Sequence, residues 1–406
     1  MQESPESYVN PAYRSIGESL VRELARLMSD PEMISLAGGY PGPELFDRDG
    51  IRAAADEALS QMPVAALQYG PTDGLPALRE AIAAWMHDCG TPCSAADLLV
   101  TSGSQQGFDL LVRTLLQAGD CAVVERPTYT GPLRVLKVAG VETLTVGVDA
   151  QGLDVDEFET LLRERARSGA RLPRLLYVVP TFANPSGATM TLERRLKLLA
   201  LALEFRVVVV EDDPYGELRF EGERVPHLAA LTDRVPGSRP WVVHLGSVSK
   251  IIAPGMRIGW LLAEGAIRRP CMLAKQLDDI SNPGFTQATV ERYMAAGRLK
   301  RHLPHIVAAY AERARAMREA LATELGGRFQ CNVPQGGMFM WGRLAGERDA
   351  RTLLKHAIAN KVTFVPGDIY FADRSDPLAL RLSFSTPTPE QIREGVRRIG
   401  HAMTQF

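Results

Sequence analysis

The stretch Gly246-Ser-Val-Ser-Lys-Ile-Ile-Ala-Pro-Gly-Met-Arg-Ile-Gly259 places one lysine, Lys250, among small residues and one arginine, Arg257, seven positions later. The apolar run 241–245 before it predicts a short buried strand. An ammonium group at the end of such a strand loses hydration and shifts its pKa, which favours either a buried ion pair or a lysine that forms an imine. The small residues leave room for a bulky partner, and the planar fork of Arg257 suits a phosphate. A phosphate-bearing aldehyde needs both features.

The composition is typical of a globular protein. The chain has 406 residues, of which 46% are hydrophobic and 23% charged, enough for a large core or two domains. With 46 basic and 48 acidic residues, the charge gives no argument for binding to nucleic acid or to a membrane surface. No run reaches the ~20 apolar residues that span a bilayer, and the N-terminus lacks the features of a secretory signal. We therefore expect a cytoplasmic protein without nucleic-acid or membrane partners.

Cysteine usage argues against a disulfide scaffold and against a metal site. The five cysteines are few and odd in number for a chain of this length. Cys89 and Cys93 lie four positions apart, but no second pair with zinc-site spacing accompanies them. We therefore expect no bound metal.

A second anion site is predicted near residue 103, where the pattern is strand, tight turn and helix. The turn leaves the amides of Gly103, Ser104 and Gln105 free at a helix N-terminus. Unpaired N–H donors and the helix dipole attract an anion to such a place. The alternative is an unoccupied helix start that a serine side chain caps.

Three consecutive acids end a strand that is nearly continuous in β-branched residues, as expected when helices cover both faces of a parallel sheet. These acids are Glu211, Asp212 and Asp213. In an open α/β sheet, ligands bind beyond the carboxyl ends of the strands, and a carboxylate there can hold a pyridine nitrogen protonated. A solvated strand end is the alternative.

Two further positions have both a functional and a plain structural interpretation. The bond Asn184-Pro185 follows a buried strand and is a candidate for a cis peptide, although the same residues also make an ordinary turn. Arg381 alternates with apolar residues in a predicted strand over 380–385. An arginine in an edge strand normally faces solvent.

The segments Ser247-Val-Ser-Lys250 and Pro254-Gly-Met-Arg257-Ile-Gly resemble the pyridoxal-phosphate (PLP) lysine segment of class I and II aminotransferases. The whole chain is similar to the subgroup that contains aminoadipate and kynurenine aminotransferases. The resemblance implies the fold type I architecture, which is α/β with a mostly parallel central sheet flanked by helices and a smaller α+β domain. It also implies a homodimer in which PLP forms a Schiff base with Lys250.

The resemblance also implies a domain division and a set of site residues. The division is an N-terminal segment with part of the small domain at 1–47, a large PLP-binding domain at 48–290 and a small domain at 291–406. The implied catalytic residues are Lys250, Asp212 and Tyr215. The implied cofactor contacts are Gly103, Ser104, Gln105, Tyr129 stacked on the ring, Asn184, Asp212, Tyr215, Ser247, Ser249, Lys250, Arg257 and, from the neighbouring subunit, Tyr69. The implied substrate contacts are Gly39, Tyr40, Asn184 and Arg381, whereas Glu211 and Asp213 are structural.

The predicted function is transfer of an amino group from an L-amino acid to a 2-oxo acid, either 2-oxoglutarate or pyruvate. Lys250 first holds the cofactor and then moves the proton at the substrate Cα. Tyr13 and Tyr40 favour an aromatic or long substrate side chain, and Arg14 a distal carboxylate. Tyr13 and Arg14 lie at the start of an N-terminal helix predicted over 14–28, and Tyr40 lies in the glycine-rich turn that follows a short strand from Met33.

Two other functions stay open at this point. The cofactor motifs do not state which bond breaks, so a C-S lyase or a decarboxylase of the same fold is an alternative. The PLP-binding effector domain of a transcription regulator is a second. Against it, only 37 residues precede Gly38, too few for a DNA-binding winged helix.

Overall fold

The structure is a computed structural model that describes residues 5–14, 16–347, 349–373 and 375–405. The strands in these ranges are β1 (Ile34–Ser35), β2 (Leu98–Thr101), β3 (Cys121–Arg126), β4 (Glu142–Asp149), β5 (Gly152–Leu153), β6 (Leu175–Val178), β7 (Val208–Asp213), β8 (Val242–Ser247), β9 (Gly259–Leu262), β10 (Phe329–Cys331), β11 (Phe339–Leu344), β12 (Val362–Thr363), β13 (Val365–Pro366) and β14 (Ala379–Ser383). The α-helices are α1 (Pro11–Arg14), α2 (Leu20–Arg26), α3 (Arg48–Gln61), α4 (Pro63–Leu67), α5 (Pro76–Asp88), α6 (Ser104–Leu115), α7 (Thr130–Val138), α8 (Val155–Ser168), α9 (Leu192–Phe205), α10 (Leu228–Leu231), α11 (Gly265–Asp278), α12 (Gly284–Ala295), α13 (Arg298–Ala320), α14 (Ala350–Ala359) and α15 (Pro389–Thr404).

The central sheet of the described residues has eight strands in the order β2-β9-β8-β7-β6-β3-β4-β5. The five neighbours from β8 to β4 run parallel to one another. Strand β9 is antiparallel to both of its neighbours, and β5 is antiparallel at the far edge. The predicted mostly parallel sheet is confirmed, and it brings the carboxyl ends of β3, β6, β7 and β8 to one edge.

Both faces of the central sheet are covered, which explains why its strands are almost wholly apolar. On one face, Val123 and Val209 pack into a core formed with α8 and α9. On the other, Val124 and Val210 join the larger core. Side chains alternate along a strand, so each face receives every second residue. The same alternation decides which of the consecutive acids at 211–213 face the site.

A second sheet follows the central one in the chain and carries Arg381. Its order is β10-β11-β14-β13, and all its strand pairs are antiparallel. Because β14 lies between β11 and β13, it is not an edge strand, and the solvent-facing alternative for Arg381 is wrong: only 3% of that residue is exposed. Near the N-terminus, β1 pairs in parallel with β12.

The predicted N-terminal helix over 14–28 is only partly correct. The structure has a short helix, α1, that ends at Arg14, and a second, α2, that begins at Leu20; Ser15 lies outside the described residues. Gly17 lies between the two helices, and glycine is a poor helix former. No helix in the described ranges is both long enough and apolar enough to cross a membrane.

Candidate active site

A cavity of about 520 Å³ lies beyond the carboxyl ends of β3, β6, β7 and β8. Its lining contains every site residue predicted from the sequence except Tyr69 and the two N-terminal residues Tyr13 and Arg14. Tyr69 is 82% exposed and lies outside the cavity. The chain therefore brings together side chains from residue 39 to residue 381.

Lys250 lies three residues after the end of β8 and extends into the cavity. Its Nζ donates a hydrogen bond of 2.8 Å to the carbonyl oxygen of Gly39. Burial lowers the pKa of the Lys250 amine to about 8, and the positive charges of Arg381 and Arg257 add to this effect. The amine therefore loses its proton more readily than an ordinary lysine, as a nucleophilic amine must.

Asp212 is the buried carboxylate of the cavity. The hydroxyl of Tyr177 donates to its Oδ2 at 2.7 Å, whereas its Oδ1 is buried and meets no donor among the described residues. Burial raises the pKa of Asp212 to about 6, against the opposing effect of the hydrogen bond from Tyr177. The carboxyl group thus has one fixed oxygen and one oxygen that still requires a donor.

Sequence reasoning missed Tyr177. It lies in β6, paired in register with Val210 of β7, and Asp212 is two residues further along on the same face. Such diagonal neighbours are within reach of a long aromatic side chain. The only signal in the sequence is a tyrosine in an otherwise aliphatic strand, which also fits an ordinary core residue.

The predicted anion site is built from the turn before α6 and from Arg257. The turn residue Gly103 has φ 83° and directly precedes α6, whose first amides no side chain caps, so the serine-capped alternative is wrong. Nη2 of Arg257 donates to the carbonyl oxygen of Ser102 at 2.6 Å, which fixes the guanidinium beside the turn. The hydroxyl of Ser247 donates to that of Ser249 at 2.8 Å on the same cavity wall.

Arg381 lies at the other end of the cavity, between two polar partners and two rings. Its Nη1 donates to Oδ1 of Asn184 at 2.7 Å and its Nη2 to the carbonyl oxygen of Ala37 at 2.6 Å. Its Nε is buried and meets no acceptor among the described residues. The guanidinium carbon lies 4.1 Å from the ring centroid of Phe339 and 5.2 Å from that of Tyr370. A cation held this way suits a carboxylate ligand.

The aromatic wall between these two ends contains Tyr129 and Tyr215. Burial raises the pKa of both phenols, so both stay protonated donors at neutral pH. The ring of Tyr215 meets that of Phe339 edge to face, with 5.7 Å between centroids. The Asn184-Pro185 bond beside them is cis, as predicted.

The N-terminal segment contributes a residue that differs from the predicted one. Arg14 does not line the cavity, because its guanidinium donates to the carbonyl oxygens of Val9 and Ser7. Arg22 of α2 lines the cavity instead, with an exposed side chain, and its charge reaches Tyr129. Tyr40 lies at the rim and is 48% exposed.

The residues present fit pyridoxal phosphate. The unpartnered Oδ1 of Asp212 requires a donor, which a protonated pyridine nitrogen provides. The uncapped start of α6 and Arg257 form a cradle for a phosphate, and Lys250 offers an amine to an aldehyde. As for metals, no group of three or more His, Cys, Asp or Glu side chains in the described ranges is arranged to hold an ion.

Comparison with known proteins agrees with this geometry. The family model for aminotransferase class I and II matches residues 36–399. The chain is 38% identical to the aromatic-amino-acid aminotransferase 1 of Thermococcus litoralis, over 98% of this chain and 95% of that protein. It is 37% identical to the 2-aminoadipate transaminase of Thermus thermophilus, over 96% of this chain and 94% of that protein.

Solved structures give the same result. The kynurenine aminotransferase of Pyrococcus horikoshii, solved in complex with PMP, superposes with a TM-score of 0.93 at 37% identity, over 98% of each chain. The chain therefore belongs to the aminotransferase class I and II family: it is a fold type I, PLP-dependent enzyme that moves an amino group from an amino acid to a 2-oxo acid.

Proposed function

We propose that this aminotransferase uses 2-oxoglutarate as its amino acceptor and an L-amino acid with a long side chain, aromatic or acidic, as its donor. One observation carries the proposal: the same cavity is lined by a buried arginine, Arg381, and by an exposed one, Arg22. A five-carbon dicarboxylate offers one carboxylate to each. The relatives are named for aromatic amino acids and for 2-aminoadipate, and these substrates share a long side chain.

Within this function, the polar groups around Lys250 hold the cofactor. When bound, PLP supplies an aldehyde that exchanges amino groups and a ring that accepts negative charge from the substrate Cα. We assign Asp212 to the pyridine nitrogen, Asn184 and Tyr215 to the ring oxygen, and Tyr129 to the face of the ring. The phosphate contacts are Gly103, Ser104, Gln105, Ser247, Ser249 and Arg257.

Lys250 and Arg381 act on the substrate. Arg381 binds the α-carboxylate through its fork and orients the Cα–H bond toward Lys250. The freed Lys250 amine, with its lowered pKa of about 8, accepts the proton from the substrate Cα. It then donates this proton to the cofactor carbon that carries the amino group. Gly39 and Tyr40 border the space for the side chain.

Replacing Arg22 with glutamine tests the acceptor. We expect the KM for 2-oxoglutarate to rise at least about tenfold, because a charge-assisted hydrogen bond to the distal carboxylate is lost. The KM for pyruvate, which has no distal carboxylate, should stay the same. Arg26→Gln is a matched control on the same helix, since Arg26 pairs with Glu18 and does not line the cavity. An equal rise for both acceptors would contradict the proposal.

We also propose that the enzyme is a homodimer and that Tyr69 reaches the phosphate of the neighbouring subunit. Tyr69 is 82% exposed, and Leu67 and Val64 beside it are 72% and 75% exposed. Leu277, at the end of α11, is 90% exposed. Exposed apolar groups of this kind are typical of an interface with another chain.

Hybrid dimers test the position of Tyr69. We expect Tyr69→Phe to weaken PLP retention about tenfold, because one hydrogen bond to a charged oxygen is lost. In a hybrid of one Tyr69→Phe chain and one Lys250→Ala chain, one site combines both defects and the other has neither. Half of the sites should then retain PLP as the wild type does. If no site of the hybrid retains PLP as the wild type does, Tyr69 acts on the site of its own chain.

We further propose the domain division at residues 47 and 290. The strands of the central sheet all lie within 98–262, and those of the second sheet within 329–383. The pairing of β1 with β12 connects the N-terminal segment to the chain of the smaller domain.

A further inference from the structure

A buried group of two histidines and two carboxylates lies on the face of β7 opposite to the cavity. Asp212 lines the cavity, and because side chains alternate along a strand, Glu211 and Asp213 point to the other face. There they meet His227, which directly precedes α10, and His244 of β8. We call these four residues the histidine cluster. Their side chains are at most 7% exposed.

The cluster is tightly hydrogen-bonded. Nε2 of His227 lies 2.7 Å from Oδ2 of Asp213, and its Nδ1 lies 2.7 Å from the hydroxyl of Thr91. Nδ1 of His244 lies 3.0 Å from Oε2 of Glu211. The two imidazole rings are 4.8 Å apart between centroids. Both nitrogens of His227 thus have partners, and one partner is a carboxylate.

The charges around His227 favour a proton on its ring. The charged groups that face it are Asp213, Glu211 and Arg195, whose Nη1 lies 3.8 Å from Oε1 of Glu211. Burial opposes a charge on His227, but the hydrogen bond with Asp213 and the negative charges of Asp213 and Glu211 together outweigh burial and raise the pKa of His227. Burial opposes a charge on Asp213 as well, but the same hydrogen bond and the neighbouring positive charges together lower the pKa of Asp213 to about 2. If both histidines were neutral, the two carboxylates of the cluster would face a single positive charge, the guanidinium of Arg195. A proton on His227 supplies the second positive charge.

We propose that His227, held by Asp213 and lying beside His244, is a positioning residue for Asp212: its positive charge offsets the two flanking carboxylates and keeps Asp212 ionised for the cofactor nitrogen. Asp212 needs this help, because burial raises its pKa to about 6 and the negative charge of Asp213 acts in the same direction. This inference rests on the proposed role of Asp212 toward PLP.

The test measures binding of pyridoxine 5′-phosphate to the cofactor-free protein as a function of pH. This probe has the ring nitrogen and the phosphate but no aldehyde, so bond formation at Lys250 does not contribute. Affinity should fall as the pH falls and Asp212 takes up a proton. In His227→Gln, which retains a donor to Asp213 but has no charge, we expect the midpoint of this loss to move upward by about one pH unit. At pH 7 the variant should bind several-fold to tenfold more weakly.

A double variant separates charge from structure. Asp213→Asn combined with His227→Gln removes both members of the ion pair, so the midpoint should return toward the wild-type value. A purely structural role predicts a double variant at least as impaired as the single one. His305→Gln, at an exposed histidine of α13, is the matched control and should leave the midpoint unchanged.

Three results would overturn the inference. The first is a midpoint that stays unchanged in His227→Gln. The second is a double variant that binds no more tightly than the single one. The third result comes from the wild type without substitution. In the imidazole NMR signals of the cofactor-free protein, His227 should stay protonated at pH values above ~6.5, the ordinary histidine pKa. A His227 ring that is already neutral below that pH would contradict the inference. The role of Asp212 is checked separately, since Asp212→Asn should remove the pH-dependent loss altogether. If that variant binds as the wild type does, the role of Asp212 itself fails.

Discussion

Replacing Lys250 with alanine should abolish amino-group transfer, with a loss in kcat of at least about 10⁴-fold. Two functions disappear together: the amine that bonds to the cofactor aldehyde and the base that moves the Cα proton. No other amine can take over, because Lys250 is the only lysine among the described residues that line the cavity. The measurement is steady-state transfer from a donor amino acid to 2-oxoglutarate, with glutamate as the detected product.

The control for Lys250→Ala is Lys300→Ala, which removes a surface lysine that pairs with Asp88. It should keep wild-type activity. We expect the Lys250→Ala protein to stay folded and dimeric, because the side chain lies in a cavity and makes a single hydrogen bond, to Gly39. Substantial glutamate formation by a folded Lys250→Ala protein would remove the mechanism.

Asp212→Asn should lower kcat by about 10³-fold. The asparagine can still accept the hydrogen bond of Tyr177, but it has no negative charge to hold the pyridine nitrogen protonated. Loss of one preorganised electrostatic group of this kind costs about 10²–10³ in rate, and here it also weakens the electron sink of the cofactor. The substitution has nearly the same shape, so the effect should be in kcat more than in folding.

The pH dependence makes this prediction specific. Because the pKa of Asp212 is about 6, the wild-type enzyme should lose activity as the pH falls through that value and the carboxylate becomes neutral. The residual activity of Asp212→Asn should show no such loss near pH 6. Asp49→Asn, at a side chain that is 89% exposed, is the control. A variant with wild-type kcat would contradict the assignment of Asp212.

The sequence was sufficient to predict the parallel sheet and most of the cavity lining, for a physical reason. Each motif lies at or beyond the carboxyl end of a strand, and parallel strands bring their carboxyl ends to one edge. Thus Asn184, Asp212 and Lys250, far apart in the chain, were predicted to meet, and all three line the cavity. The cis bond at Asn184-Pro185 was predicted as well.

What the sequence did not predict depends on strand order and on long-range packing. For Arg381, the strand pattern alone leaves a solvent-facing alternative, which is excluded only by the position of β13 on the outer side of β14. Tyr177 resembled a core residue, because only the register between β6 and β7 places it beside Asp212. Arg22 was missed in favour of Arg14, since the path of the chain between α1 and α2 is not encoded in helical periodicity.

The three consecutive acids at 211–213 combine a position that the sequence predicts, Asp212 in the cavity, with partners that it does not predict, those of Glu211 and Asp213. A solvated strand end was an alternative for all three, and that alternative is wrong, since the Glu211 and Asp213 side chains are 0% and 5% exposed and Asp212 is also buried. The partners of Glu211 and Asp213 are histidines 33 and 14 positions away in the sequence. No local pattern predicts such pairs, because the turn before α10 and the neighbouring strand β8 bring them together.

The central claim is that the amine of Lys250 bonds to the cofactor, and chemical trapping tests it most directly. Protein loaded with PLP is reduced with borohydride, digested and analysed by peptide mass spectrometry. The account predicts one phosphopyridoxyl group per chain, on the peptide that contains Lys250. A protein that binds no PLP, or a label on a different lysine with Lys250 unmodified, would contradict it.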